Sequence, residues 1–198
     1  GFAHVSCLAE QAKILVAEVE KSNLAGKDKL ARWRRWDTCS MCEQQYHGVV
    51  QCALGWACWK TYVGRPETDT ARCLAMTELG RGLHEVEHYE GAFSVQEAEL
   101  SMLRRLGASE SNILITQTNI ALTYSALGRD EEALRMRQET YFGWLKSQGE
   151  ENPQTLMAAN NCASSLINLQ RFEEAKALLR KTIPVARRVP GELSLIHI

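Results

Sequence analysis

Residues 171–175 read Arg-Phe-Glu-Glu-Ala, and the last three belong to a pattern that the chain contains three times. Glu90-Gly91-Ala92 is followed by Glu131-Glu132-Ala133 and by Glu173-Glu174-Ala175, at steps of 41 and 42 residues. Self-similarity at this period is typical of helical repeat arrays, in which each unit buries its apolar face against a neighbour. The pattern therefore predicts an all-α protein built from repeated units.

A small residue stands twelve positions before each of these alanines, namely Gly80, Ala121 and Ala163. Small residues on two antiparallel helices let the helices approach closely where they cross. Each copy therefore predicts one hairpin of two helices, and Gly128 falls at the turn of the second hairpin.

The stretch Asn160-Asn161-Cys162-Ala163, together with residues 171–175, resembles the Asn-Asn-Leu-Ala and Arg-Tyr-Glu-Glu-Ala signatures of the tetratricopeptide repeat. The likeness is to the longer form of the repeat, about 42 residues, that kinesin light chains carry. It implies a superhelical array of antiparallel helix hairpins. In the first copy, Thr77-Glu78 replace the family's paired asparagines and Glu87 replaces its turn glycine. The repeats are expected at 67–112, 113–153 and 154–192.

Tetratricopeptide arrays bind peptide segments of other proteins, and the first helix of each hairpin lines their concave groove. Asn119 and Asn161 are 42 residues apart and so stand in register. Their carboxamides both donate and accept hydrogen bonds, which suits them to holding a peptide backbone. The alternative is that these asparagines are buried and tie adjacent repeats together. The resemblance implies a groove lined by Thr118, Asn119, Leu122, Ser125, Asn160, Asn161, Ser164 and Asn168.

Seven cysteines, odd in number and scattered, argue against a disulfide framework and favour a reducing, cytoplasmic location. Four of them lie in helical patterns, where cysteine packs as a small apolar residue. The other three, together with His4, form two short pairs of soft ligands, His4-x-x-Cys7 and Cys39-x-x-Cys42. This spacing lets both members of a pair turn toward one metal ion. The four helical cysteines are Cys52, Cys58, Cys73 and Cys162.

The two pairs, with Trp36 three residues before Cys39, resemble the C-terminal half of a RING-variant (RING-CH) zinc finger over residues 1–48. The family's first two ligand pairs are absent. The resemblance implies that His4 and Cys7 complete one zinc site and that Cys39 and Cys42 complete another. Two alternatives remain open: the four residues close a single tetrahedral site, or they bind no metal.

An intact finger of this kind implies a ubiquitin ligase, in which the finger recruits a conjugating enzyme and the repeats select the substrate. The sequence has no nucleotide-binding glycine loop, nucleophile elbow or zinc-protease motif. No catalytic or organic cofactor-binding residue is therefore predicted. The leading function is a protein-interaction scaffold, and the ligase is the alternative.

Basic residues surround Trp33 and Trp36, an arrangement that can bind single-stranded nucleic acid. A formal net charge of −1 gives no general attraction to phosphate, so we predict instead that Trp36 packs against the finger. Neither a nucleic-acid nor a membrane partner is expected, since no run of eighteen apolar residues occurs.

Residues 49–66 are predicted to form a bridging helix that caps the first repeat, with Trp56 and Trp59 as packing anchors. Residues 23–29 are predicted to be a loop. The chain opens at Gly1 rather than at methionine, and residues 193–198 continue no repeat feature. We therefore expect a piece of a longer chain with an atypical tail.

Overall fold

A computed structural model describes residues 4–22 and 31–189. The prediction of an all-α array of helix hairpins is confirmed for this part of the chain. One turn of 3₁₀-helix, Arg34–Trp36, lies between the first two helices. Helices α1 to α8 span, in order, Val5–Ser22, Gly48–Tyr62, Thr70–Glu85, Tyr89–Arg105, Glu110–Ala126, Asp130–Gln148, Pro153–Asn168 and Phe172–Ala186.

Three predictions fall partly or wholly outside the described residues. They are the start of the finger at residues 1–3, the loop at 23–29, and the end of the third repeat with the tail at 190–198. Among the described residues, no helix has the length and apolar character needed to cross a membrane.

The chain divides into two compact units, Gly1–Met102 and Leu103–Ile198. In the first unit α1 lays one apolar face, including Ala12 and Val16, against α2 and the 3₁₀ turn. Trp33 and Trp36 are buried there beside Tyr62, with ring centroids 5.2 Å and 6.1 Å from the tyrosine ring. Trp36 was predicted to pack against residues 1–48, and it lies in a cluster that includes Ala12 of that segment and also Tyr62 of α2, outside it.

Helices α2 and α3 approach each other unusually closely because two glycines lie at their contact. A Cβ atom on Gly55 would lie 2.7 Å from the Glu78 carbonyl oxygen, and one on Gly82 would lie 2.8 Å from Cys52 Cα. Side chains at either position would force the helices apart. The predicted bridging helix, α2, therefore packs closely against α3, the first helix of the first repeat.

The two tryptophans of α2 differ in their surroundings. Trp59 is half-buried and packs against two apolar clusters of the first unit. Trp56 is 43% exposed, so the prediction that it acts as a packing anchor is wrong. Three-residue spacing places two side chains within about 60° of each other around a helix axis. On α2 the edge of the buried face lies between Trp56 and Trp59.

In the second unit, α5 pairs with α6 and α7 pairs with α8. The small residues assigned to the two crossings are almost fully buried. Helix α6 also packs against α7, and Trp144 lies in one cluster with Leu114 and Ala158. Close crossings between small residues therefore build each hairpin, and larger apolar side chains join one hairpin to the next. The four crossing residues are Ala121, Ala133, Ala163 and Ala175.

All three hairpin turns have the same backbone conformation. Glu87, Gly128 and Gln170 adopt positive φ values of 61°, 72° and 59°. After each of them the next backbone N–H bonds to a carbonyl five residues back, as from Arg171 to Leu166 at 2.7 Å. This is the Schellman ending of a helix, which favours glycine at the left-handed position. Only the second turn has the favoured residue.

Candidate peptide-binding face and candidate metal turn

The first helices of the second and third repeats begin at side-chain caps. Ser109 accepts a hydrogen bond from the Asn112 N–H at 3.3 Å, and Asn152 accepts one from Gln154 at 2.8 Å. Both caps satisfy N–H groups that no helix turn can bond. They fix the residue at which α5 and α7 begin. The helical period then determines which of the following side chains share one face.

Residues three, four and seven apart share one face of a helix. The eight predicted groove residues lie on such faces of α5 and α7. Six are half-buried, and two, Leu122 and Asn168, are exposed. We call the combined surface the first-helix face. It comprises the predicted residues Thr118, Asn119, Leu122, Ser125, Asn160, Asn161, Ser164 and Asn168, with the three residues described next.

Three exposed apolar side chains on this face were missed by the sequence analysis. Ile115, Met157 and Ile167 have exposed fractions of 47%, 44% and 37%. Ile115 and Met157 are 42 residues apart and stand four residues before Asn119 and Asn161. The repeat period could have found the first two, since the same period placed the asparagines.

Neither asparagine carboxamide has a hydrogen-bond partner among the residues that the structure describes. Arg137 on α6 makes the polar connection to the third repeat instead. Its Nη1 donates to the Asn161 carbonyl oxygen at 3.3 Å and to the Ser165 hydroxyl at 2.5 Å. The observed tie between the hairpins therefore uses the backbone of Asn161 and leaves its side chain available.

A separate cavity of about 620 Å³ lies among α6, α7 and α8. Apolar side chains such as Tyr141, Leu145 and Leu178 form much of its wall, and none of its lining residues belongs to the first-helix face. Burial, chiefly, raises the pKa of Tyr141. No feature of the sequence pattern pointed to this cavity, because it depends on how the second helices of two repeats diverge.

Cys39 and Cys42 lie on a tight turn closed by a bridge between Thr38 and Gln45. The Cys39 N–H donates to the Gln44 carbonyl at 2.9 Å, and Glu43 adopts a φ of 57°. This turn leaves Cys42 exposed and Cys39 partly exposed. Both thiols of the pair are therefore accessible.

Backbone N–H groups converge on the Cys39 sulfur. The Met41 nitrogen lies 3.4 Å from Cys39 Sγ. Hydrogen bonds from the backbone of Cys42 and then of Met41 lower the pKa of the Cys39 thiol to about 7. They stabilise the thiolate, which is the form that binds metal.

The other predicted ligands lie at the start of α1. His4 precedes the helix and Cys7 stands in its first turn, and both are exposed. Over residues 4–22 and 31–189, no three His, Cys, Asp or Glu side chains form a group that could hold a metal ion. The structure thus presents the two pairs as accessible ligands and does not gather all four into one cluster. Zinc binding stays a prediction.

The arginines beside the tryptophans do not form a stacking platform. Trp33 and Trp36 are 5% and 1% exposed, so their rings cannot receive bases. Arg35 instead donates to the Cys39 carbonyl at 3.1 Å. The nucleic-acid alternative depended on base stacking by these two indole rings, and their burial leaves it without support.

Helix hairpins with buried small residues at their crossings and Schellman turns define a tetratricopeptide-like repeat array. Residues 112–188 match the family model of the tetratricopeptide repeat. No curated protein matches the sequence. The array is also similar to solved structures of such repeats, at identities that show the fold alone.

One of these is BtubC (BKLC) from P. vanneervenii, with a TM-score of 0.64 and 11% identity over 94% of this chain and 75% of that one. Two others are crystal structures, one of them of a variant, of a putative kinesin light chain with nearly identical TPR-like repeats from Podosopora anserina. Their TM-scores are 0.60 and 0.58, at 18% and 16% identity. Each covers 93% of this chain and 97% of that one. The similarity to kinesin-light-chain repeats agrees with the prediction from the sequence.

Proposed function

We propose that this protein is a protein-interaction scaffold that binds extended peptide segments of other proteins on the first-helix face. The observation that carries the proposal is the pair of carboxamides of Asn119 and Asn161, in register on consecutive repeats and without partners among the described residues. Each carboxamide can accept from one peptide N–H and donate to one peptide C=O. Together they match the main-chain pattern of an extended segment.

The face has further properties that fit this role. Exposed apolar side chains flank the asparagines, as Ile115 and Leu122 do on α5. Burying such side chains against a ligand contributes about 25 cal/mol per Å² of apolar area. The carboxamides would orient the peptide, and the apolar contacts would supply most of the affinity.

The test is a screen of peptides with blocked ends, followed by calorimetry on any peptide that binds. Replacing both Asn119 and Asn161 by Ala should weaken binding, each lost hydrogen bond being worth roughly 0.5–1.5 kcal/mol. Gln148→Ala, which removes an exposed carboxamide at the end of α6, serves as the control and should not change the affinity. Equal affinities for the double variant and the parent would place the ligand elsewhere.

We propose the ubiquitin ligase as a second candidate function, and the accessible turn that carries Cys39 and Cys42 is the observation in its support. Zinc sites bind thiolate, and backbone hydrogen bonds from Cys42 and Met41 lower the pKa of the Cys39 thiol, which favours that form. These residues therefore fit half of a structural zinc site, with His4 and Cys7 as candidates for half of another. A complete finger of this type would recruit a ubiquitin-conjugating enzyme, and the repeats would select the substrate.

Metal analysis tests the second function. Two protein ligands do not enclose an ion that structural sites bind with four, so residues 1–198 should hold zinc weakly or not at all. A longer chain that supplies two further cysteine pairs upstream should hold two zinc ions tightly, and Cys39→Ser should remove one of them. One tightly held zinc in residues 1–198 would favour the single-site alternative. No zinc in the longer chain would exclude the finger and the ligase with it.

A further inference from the structure

Charge is distributed unevenly among the helices of the second unit. In a chain of which 24% of residues are charged, α7 contains no Asp, Glu, Lys or Arg along its 16 residues. Helix α5 contains one charged residue, Glu110, in its first turn. Helices α6 and α8 carry charges along much of their length. The helices that form the first-helix face are thus the nearly uncharged ones.

The side chains of the face are of two kinds. One kind is apolar, at Ile115, Leu122, Met157 and Ile167, each more than one third exposed. The other kind carries a hydroxyl or a carboxamide. Some hydroxyls already bond to their own helix, as Thr118 does to the Leu114 carbonyl at 2.9 Å. Free hydrogen-bonding capacity is therefore concentrated in neutral amide groups.

Three arginines that neighbour α5 and α7 in the chain are already engaged. Arg137 is 8% exposed, and its Nη1 donates to two groups of α7. At the hairpin turns, Arg129 pairs with Glu132 at 3.0 Å and Arg171 pairs with Glu174 at 2.7 Å. A ligand carboxylate laid against the face would meet no unengaged cation of α5 or α7.

We propose that the first-helix face selects an uncharged, extended segment with apolar side chains, and that it discriminates against acidic and basic segments. This inference rests on the proposed function and specifies its ligand. A charged side chain brought against the face loses its hydration, and among the side chains of α5 and α7 only Glu110, in the first turn of α5, carries a charge. A neutral segment exchanges the hydration of its main-chain groups for hydrogen bonds to the carboxamides, and the loss of its apolar hydration favours binding. The selectivity therefore comes mainly from rejection of charge.

The experiment uses residues 1–198 and three families of synthetic peptides with blocked ends. The peptides are about nine residues long, roughly 30 Å when extended. All families have Leu, Ile or Met at alternate positions, and the intervening residues are Ser and Gln, Glu and Gln, or Lys and Gln. We expect the neutral family to bind on the order of ten-fold more tightly than either charged family, measured by fluorescence anisotropy.

A charge placed on the face should change the preference. Ser164→Lys adds a cation to α7 and should bring the acidic family to at least the affinity of the neutral one. Ser147→Lys on α6 is the matched control, because both serines are bonded to the carbonyl four residues earlier, at 3.0 Å and 2.8 Å. The control should keep the preference of the parent protein.

The outcomes separate this inference from the function on which it rests. A charged family that binds as well as the neutral one, with binding lost in the Asn119→Ala/Asn161→Ala variant, would overturn the charge selectivity and leave the scaffold function standing. No binding by any family, or binding that ignores the double variant, would overturn both. Neutral preference that shifts with Ser164→Lys alone supports both.

Discussion

The guanidinium of Arg137 on α6 and the hydroxyl of Ser165 on α7 are joined by a hydrogen bond of 2.5 Å across two consecutive repeats. Both residues are buried, and the same Nη1 also donates to the Asn161 carbonyl. Burial lowers the pKa of Arg137, yet the group stays charged at neutral pH. This contact holds α7, and with it half of the first-helix face, against the preceding hairpin.

Removing this contact should destabilise the second unit. We expect Arg137→Ala to lower the free energy of unfolding by about 2–3 kcal/mol, because it leaves the buried Ser165 hydroxyl without its charged donor. Arg180→Ala, at an exposed position of α8, should change stability by less than about 0.5 kcal/mol. Urea denaturation followed by circular dichroism measures both. Similar midpoints for the two variants would show that the contact contributes little.

The crossing of α5 and α6 should be intolerant of added volume. Ala133 has no exposed surface, so Ala133→Phe should overpack the crossing and cost on the order of 1–3 kcal/mol. Arg135→Phe, two residues along the same helix but exposed, provides the control. If thermal unfolding gives equal midpoints, the register of the repeats is wrong.

Two of the three hairpin turns should be improved by glycine. Gln170 has a φ of 59°, which is unfavourable for a residue with a Cβ atom. We expect Gln170→Gly to raise the free energy of unfolding by about 0.5–1 kcal/mol, and Gly128→Ala to lower it by a similar amount. Chemical denaturation of the two variants tests the pair. Destabilisation by Gln170→Gly would indicate that its side chain makes a contact of greater value.

The first unit should lose stability as the pH rises toward neutrality. Burial, and secondarily the charge of Asp37, raises the pKa of Glu78 to about 7, although Arg81 opposes the shift. The folded state then binds a proton more tightly than the unfolded state, in which the carboxyl has its ordinary pKa of 4.5. Stability from this group is complete below that value and is lost as the pH rises through about 7.

The lost contribution is on the order of 3 kcal/mol. Glu78→Gln should remove this part of the pH dependence, whereas Glu97→Gln, at an exposed position on α4, should leave it unchanged. Urea midpoints recorded across the interval from acid to neutral pH measure the effect. A profile of Glu78→Gln parallel to that of the parent protein would refute the assignment.

The hairpins were predictable because the sequence pattern that specifies them is local and is repeated along the chain. Alanines such as Ala133 and Ala175, at a constant distance from small residues on the preceding helix, specify where two helices can touch. The predicted face residues of α5 and α7 followed from the same register. Ile167 could not be found in this way, because nothing in a helical pattern tells an exposed isoleucine from a buried one.

The segment at residues 31–48 shows the opposite case. The motif around Cys39 identified candidate ligands, but the backbone donors to its sulfur arise from a turn that the spacing alone does not specify. Trp56 was assigned to the core from its spacing to Trp59 and is exposed. Period and spacing show which residues are neighbours along one helix. They do not show which side of that helix another helix covers.

The sequence by itself determined the class of fold, the number of hairpins in the array and the register of Asn119 with Asn161, since these follow from periodic placement of small and apolar residues along the chain. Only the tertiary structure decided that those carboxamides lack partners within residues 4–22 and 31–189, that Arg137 joins two repeats, and that Glu78 is buried beside Arg81 and Asp37. These properties depend on contacts between residues far apart in the sequence. Burial and hydrogen bonding are settled only when the helices pack.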